Sequence, residues 1–243
     1  MLNILIPLSA ESAFFNSPEY PFPKSLAEIH GKPMIQRVIE NLSTITQEKR
    51  FVFILRDEDC TRYHLDSTVR LLAGSDSIII RQMGKQTMGA ACTALLAVDY
   101  IDNDEPLLIT NGDQIFDRDI NGYLAQFRDL DCEAGCLTFD SVHPRWSYAR
   151  LEGEGDIIET AEKHPISRHA IAGFYYFARG SQFVLATQHS IRKDASVDGV
   201  YYIAPVLNEL ILLNCRLKAL TVPNDSYHTF YSPKKIEEYE AER

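Results

Sequence analysis

The chain reads as a single α/β domain with a mixed, mostly parallel central sheet flanked by helices. Three observations carry that reading. Short, largely apolar runs at residues 2–8, 51–55, 77–81 and 106–109 have the character of strands covered on both faces. Segments of helical spacing separate them, which is the alternation of a doubly wound sheet. The 243 residues suit one large α/β domain, and no linker, repeat or low-complexity stretch divides them.

Each element follows from its local pattern. After Leu8 the chain breaks into Ser, Asn, Glu and Pro as far as Phe22, which is loop chemistry. Ile35, Val38, Ile39 and Leu42 then recur at the spacing of an amphipathic helix. The second strand runs out into Arg56-Asp57-Glu58-Asp59, and residues 60–73 read as helix. Residues 82–86 form the exit loop of the third strand, and Thr87 reads as the N-cap of a helix over 88–101. The fourth strand ends in Thr110-Asn111-Gly112-Asp113-Gln114. Ligands of such sheets sit beyond the carboxyl ends of the strands, so the loops after Leu8, Arg81 and Ile109 should converge on one cleft. The second half changes character. Strands are expected at 133–139, 146–152 and 156–163, the last two joined by a hairpin-like Glu152-Gly153-Glu154-Gly155-Asp156. A long strand at 171–177 follows, then helices at 182–191 and 201–213, a strand at 216–222 and a charged terminal helix at 233–242.

Composition narrows the function. Apolar content of 45% and charged content of 24% are ordinary globular values. A net charge of −10 with no offsetting run of Lys or Arg argues against a nucleic-acid-binding surface. An anionic ligand would therefore need a few local lysines and a divalent cation. Cys60, Cys92, Cys132, Cys136 and Cys215 form no CxxC pair or Cys/His cluster and read as structural thiols of a reducing compartment. Cys132 and Cys136 share parity on an expected strand, so both could face one side of it. The N-terminal apolar run lacks a charged n-region and is too short for a signal peptide or a membrane span. The expectation is a cytoplasmic protein with no membrane insertion.

Two side chains stand where phosphate chemistry needs them. Asp113 lies just past a buried strand, placed to hold a magnesium ion, which takes one or two carboxylates plus phosphate oxygens and water. Gly112 would let the backbone approach a ligand closely. The same residues also make a plain turn. Lys24, held by Pro23, offers a point charge for a phosphate; a solvated surface lysine is the other reading.

Residues 2–38, including Pro23-Lys24-Ser25-Leu26 and Gly31-Lys32-Pro33-Met34-Ile35, resemble without a gap the signature of the sugar-phosphate nucleotidyltransferases, the NTP transferase domain. The family's two loop glycines fall on Ala10 and Ser12, its loop arginine on Phe14, and its second proline on Ser25. The resemblance implies a nucleotide-diphospho-sugar transferase (GT-A, Rossmann-like) fold, with residues 1–130 as nucleotide-binding half and 131–243 as acceptor-binding half. It implies transfer of NMP from a nucleoside triphosphate to a small phosphorylated acceptor such as a sugar phosphate, releasing pyrophosphate, with Mg²⁺ as cofactor. It assigns Leu8, Ser9, Ala10, Glu11, Ser12, Lys24, Gln82, Gly89, Ala90 and Gly112 to the nucleotide and Asp113 to the metal. Tyr148, Ala149, Glu162, Lys163, Gly173 and Tyr175 go to the acceptor, and Lys24, Asp113 and Lys163 carry the chemistry. The family's second metal aspartate falls on Thr229, and the preceding His228 could replace it as a ligand.

Residues 111–114, 146–149, 162–167, 172–177 and 197–205 further resemble a cytidylyltransferase-like branch met in capsule and surface-polysaccharide biosynthesis, which leans the base toward CTP. Two other readings stay open. One is a nucleotide or nucleotide-sugar binding relative without turnover, a sensor or partner subunit, motivated by Ala10, Ser12 and Phe14. The other is glycosyl transfer, which usually needs an Asp-x-Asp motif that Asp113-Gln114-Ile115-Phe116-Asp117 is not.

Overall fold

The computed structural model describes residues 1–10, 13–15 and 20–242. The front of the chain runs β1 (Leu2–Leu8), β2 (Glu28–Ile29), β3 (Lys32–Pro33), α1 (Met34–Ser43), β4 (Lys49–Arg56), α2 (Asp57–Tyr63), α3 (Leu65–Ala73) and β5 (Ile78–Gln82). Next come α4 (Ala90–Ala94), α5 (Val98–Ile101), β6 (Leu107–Thr110), β7 (Gln114–Phe116), α6 (Ile120–Asp129) and β8 (Ala134–Asp140). The chain finishes with β9 (Ser147–Glu152), β10 (Asp156–Glu162), β11 (His169–Phe177), α7 (Gly180–Arg192), α8 (Ile203–Leu212), β12 (Leu217–Thr221), β13 (Tyr227–Thr229) and α9 (Pro233–Ala241).

Strands from both halves enter one nine-stranded sheet, ordered β5-β4-β1-β6-β11-β8-β12-β10-β9. The expected mixed sheet is present. Parallel pairing covers β5–β4, β4–β1, β1–β6 and β8–β12. The pairs β6–β11, β11–β8, β12–β10 and β10–β9 are antiparallel. With the further antiparallel pair β11–β9, parallel pairs are four of nine rather than the expected majority, because β11 enters antiparallel to β6 and breaks the run of parallel strands there.

Strand parity sorts the core into two layers. Ile4 and Ile6 of β1 and Phe51, Phe53 and Leu55 of β4 pack on one face with α1, α3, α6 and α9. Leu5, Val52 and Ile54 point the other way, onto α4, α5, α7 and α8. The pairing of opposite parity to opposite cores is what a sheet covered on both faces requires.

Three local expectations are corrected. The helix expected over 60–73 is two helices broken at His64, whose left-handed backbone (φ 54°) caps α2 and turns the chain into α3. The helix expected over 88–101 begins at Ala90 and tightens into a 3₁₀ turn over Leu95–Ala97 before α5. Cys132 and Cys136 do not share a side. β8 starts only at Ala134, so strand parity does not reach Cys132, whose Sγ donates to Phe127 O at 3.3 Å in one core while Cys136 lies in the other.

Candidate active site

The carboxyl ends of β1, β4, β5 and β6 open into one cleft of about 800 Å³. Leu8, Ser9, Ala10, Lys24, Gln82, Gly89, Ala90, Gly112 and Asp113 all line it, so the structure brings together the expected nucleotide residues that it describes. Glu11 and Ser12, expected with them, lie outside the described residues.

The cleft floor is an ion pair between Lys24 Nζ and Asp113 Oδ2. Pro23 (φ −60°, ψ 151°) leads in extended, and the chain then closes a single 3₁₀ turn, with Leu26 N donating to Pro23 O and Ala27 N to Lys24 O. That turn presents Lys24 inward, 5.9 Å from the Phe15 ring centroid. Asp113 is fixed by its neighbours. Asn41 of α1 both donates to and accepts from the Phe116 backbone, each at 2.9 Å. Buried Gln114 donates to Gly173 O and Thr110 Oγ1 and accepts from Tyr227 Oη, while Phe230 N donates to Asp113 O at 2.7 Å. The two side chains keep 23% and 20% exposure, shielded yet reachable by a ligand.

Gly112 also has a packing role. A Cβ there would lie 2.1 Å from Leu8 Cδ2, so a side chain would push Leu8 aside where the β6 exit meets β1. Gly89 is the more demanding position, with φ +120° and a Cβ position 2.3 Å from Tyr201 O. Tyr201 N donates to Met88 O, and Ala91 N donates to Tyr201 O, which clasps the start of α4 to the segment before α8. The N-cap is therefore Gly89, and the expected Thr87 cap is absent. Thr87 Oγ1 instead donates to Gly89 O and meets Thr93 Oγ1 at 2.6 Å.

The expected acceptor residues stand apart from the cleft lining. Gly173 is nearest, in a left-handed conformation (φ +59°) where β11 slips register against β8. Its Cβ would collide with the Asn111 side chain of the cleft wall. Beyond it, Ser147 Oγ bonds Glu162, and buried Tyr175 lies beside both. Lys163 (φ 55°) turns to Tyr202, donating to its hydroxyl at 2.7 Å with Nζ 4.9 Å from the ring centroid. Tyr148 and Ala149 have fully buried side chains in opposite cores, so neither presents a side chain to a ligand. Tyr148 Oη donates to His143 O at 2.7 Å. Tyr148→Phe is expected to cost about 1 kcal/mol of stability in urea melts and leave the acceptor KM unchanged; a raised KM would restore Tyr148 to the site.

Burial pushes the Glu162 carboxyl above its ordinary value of 4.5, opposed by the Ser147 hydrogen bond and the Lys163 charge. A raised folded value means the protonated acid stabilises the fold at low pH, and that contribution fades as pH rises from the unfolded value through the folded one. Glu162→Gln should therefore flatten the dependence of Tm on pH as pH rises above the ordinary carboxyl value of 4.5, becoming the more stable form at the alkaline end. Parallel curves for the two proteins would contradict this assignment.

No group of three His, Cys, Asp or Glu able to hold a metal occurs among the described residues. Asp113 alone suits an ion that completes its shell with ligand oxygens and water, as Mg²⁺ does, and not one held wholly by protein. His228 does not join it. Its Nε2 lies 2.7 Å from Asp117 Oδ2, its ring packs on Tyr239, and it is not part of the cleft lining.

Sequence reasoning missed one wall. Arg56, Arg62 and Tyr63, from the end of β4 and from α2, line the cleft, with the Tyr63 ring edge-on to Phe22. The signal was available at Arg56, since β4 is parallel to β1 and its carboxyl end must face the same cleft. Arg62 and Tyr63 carry no local signal, because only the packing of α2 turns them inward.

Residues 18–192 match the profile of the MobA-like NTP transferase domain. The chain belongs to this family. Among curated proteins, this MobA-like chain is 26% identical over 160 residues to the UTP–glucose-1-phosphate uridylyltransferase AglF of Haloferax volcanii, covering 64% of the chain and 63% of that protein. It is also 26% identical over 158 residues to the bifunctional protein GlmU of Methanocaldococcus jannaschii, covering 64% of the chain and 35% of GlmU. The matches thus span less than two thirds of these relatives. Among solved structures, the MobA-like fold superposes on a nucleoside-diphosphate-sugar pyrophosphorylase from Vibrio cholerae RC9 with TM-score 0.85 and 23% identity, covering 98% of this chain and 99% of that one. A putative glucose-1-phosphate thymidylyltransferase from Bacillus anthracis gives TM-score 0.78 at 19% identity, covering 99% and 94%. These likenesses establish the nucleotidyltransferase fold. No helix among the described residues is long and apolar enough to cross a membrane.

Proposed function

We propose that this MobA-like domain is an enzyme that transfers NMP from a pyrimidine nucleoside triphosphate to a sugar 1-phosphate or a similar small phosphorylated acceptor. The observation that carries the reading is the Lys24–Asp113 pair on the floor of a cleft fed by four parallel strand ends. An acceptor phosphate oxygen attacks the α-phosphorus in line, one P–O bond forms, the α–β P–O bond breaks, and pyrophosphate leaves with the electron pair. Charge grows on the phosphoryl oxygens and the leaving group, and a fixed ammonium at Lys24 offsets it in place. Asp113 would hold Mg²⁺, which supplies further charge neutralisation at the phosphates. Glu162, Lys163, Gly173 and Tyr175 form the acceptor side of this reading, reached past Asn111. Lys163 would leave Tyr202 to take the acceptor phosphate.

The likeness to a UTP–glucose-1-phosphate uridylyltransferase and to a putative glucose-1-phosphate thymidylyltransferase supports a pyrimidine donor and a sugar phosphate acceptor. A preference for CTP and a place in capsule or surface-polysaccharide precursor synthesis rest on the cytidylyltransferase-like stretches alone, and a cytoplasmic location rests on the N-terminal run and the unpaired cysteines. The decisive experiment is pyrophosphate release with CTP, UTP, dTTP, GTP or ATP and Mg²⁺ against a panel of sugar phosphates and other small phosphorylated metabolites. Release with one pyrimidine nucleotide is the expected result. Binding without release across the panel would favour the nucleotide-binding reading that the loop with Ala10 and Phe14 motivates.

A further inference from the structure

A nucleoside triphosphate is a concentrated anion, and its site must neutralise it. The first 23 residues contain no Lys or Arg side chain for this, and Phe14 occupies the place of the loop arginine in the resembled family. The cations that line the cleft are Lys24, Arg56 and Arg62. Lys24 is engaged with Asp113, and Arg56 Nη2 bonds Glu58 at 2.7 Å. Arg62 differs from both. Among the described residues its guanidinium has no hydrogen-bond or ion-pair partner, and it lies over the Tyr63 ring, 5.1 Å from the centroid. Tyr63 is itself anchored to the exit of the signature loop. Its hydroxyl donates to Pro21 O at 2.8 Å, and its ring meets Phe22 edge-on at 5.7 Å. Arg62 also lines a groove of about 480 Å³ that continues from the cleft between α2 and the Gly84–Gln86 loop, where Lys85 adds a further cation.

We infer that Arg62 of α2, rather than any residue of the signature loop, receives the polyphosphate chain of the triphosphate. The inference rests on the nucleotidyl-transfer reading and adds a binding residue to it. A guanidinium suits this task because its planar fork can bond two phosphate oxygens at once. Stacking on an anchored tyrosine holds the fork in place before the ligand arrives, which lowers the ordering cost of binding. The charge that the loop lost is thus recovered from the facing helix.

The test is titration calorimetry with UTP and CTP, their monophosphates, and inorganic tripolyphosphate. The proteins are the wild type, Arg62→Ala, Arg62→Lys and a remote surface control, Arg150→Ala. Arg62→Ala is expected to weaken both triphosphates and tripolyphosphate by about tenfold or more while UMP and CMP stay within about twofold of wild type. Arg62→Lys should recover part of the loss, and Arg150→Ala should change nothing. Equal losses for mono- and triphosphates would overturn the inference, since Arg62 would then serve the nucleoside or the fold. Wild-type binding of triphosphate that is unchanged in Arg62→Ala would overturn it too, leaving nucleotidyl transfer intact. A wild type that binds no triphosphate would overturn both.

Discussion

Asp113→Asn is expected to lower turnover by about a thousandfold while the protein stays folded. The two effects separate because of where Asp113 stands. Its backbone is held by Phe230 N and by the Gln114 bonds to Gly173 and Thr110, none of which uses the carboxylate. The carboxylate itself meets Lys24 in a partly exposed pair, and such pairs contribute no more than about 1 kcal/mol. An amide of the same shape keeps the packing and removes the charge that would hold Mg²⁺. Steady-state rates over a Mg²⁺ series, with thermal melts alongside, read both quantities. A variant that keeps wild-type turnover and metal response would remove Asp113 from the chemistry.

Gly89→Ala is expected to be the most disruptive single-methyl change, costing about 3 kcal/mol in urea denaturation. Two penalties add. The backbone sits at φ +120° and ψ 172°, a region essentially reserved for glycine, and the new methyl would fall 2.3 Å from Tyr201 O and 2.7 Å from Tyr201 N. Both are backbone atoms of the clasp that holds the start of α4, so relief must open that clasp and with it one wall of the cleft. Gly84→Ala is the internal comparison, since Gly84 has φ +76° but no atom within 4 Å of its would-be Cβ. It should lose only the conformational part, about 1 kcal/mol. Equal losses at the two positions would mean that the contact with Tyr201 is soft.

Much of this architecture is legible in residue patterns, and the limits of that reading are physical. Uncharged apolar runs such as Leu2–Leu8 announce buried strands, and parallel strands deliver their loops to one edge, so Lys24, Gln82 and Asp113 can be assigned to a common cleft. Parity tells which residues share a face but not what covers that face. The resemblance assigns Tyr148 and Ala149 to the acceptor, and parity alone does not foretell that their side chains are buried in the two cores. The α6 helix is legible from its Asp119 cap and the helical spacing of Ile120, Leu124 and Phe127. The β7 strand has no such signal, because Gln114–Phe116 is held by Asn41 from a distant helix and not by its own pattern. Arg62 and Tyr63 are hidden for a related reason. The left-handed turn at His64 ends α2 just after them and turns the chain into α3, and no spacing in Asp57–Tyr63 forecasts that turn.

The position of β12 bears on how the chain comes off the ribosome. Leu217–Thr221 is made after β8, β9, β10 and β11, yet it lies between β8 and β10 in the sheet. Until it emerges, β8 and β10 each carry an unpaired backbone edge, the template on which nascent chains pair wrongly. The strands β5, β4, β1 and β6 face no such wait among themselves, since all of them precede residue 111. Assembly should therefore proceed in two stages, with an early parallel module and a late closure by an inserted strand. A nascent chain arrested before Leu217 is expected to engage chaperones and to aggregate on release, although its cleft residues have all been synthesised.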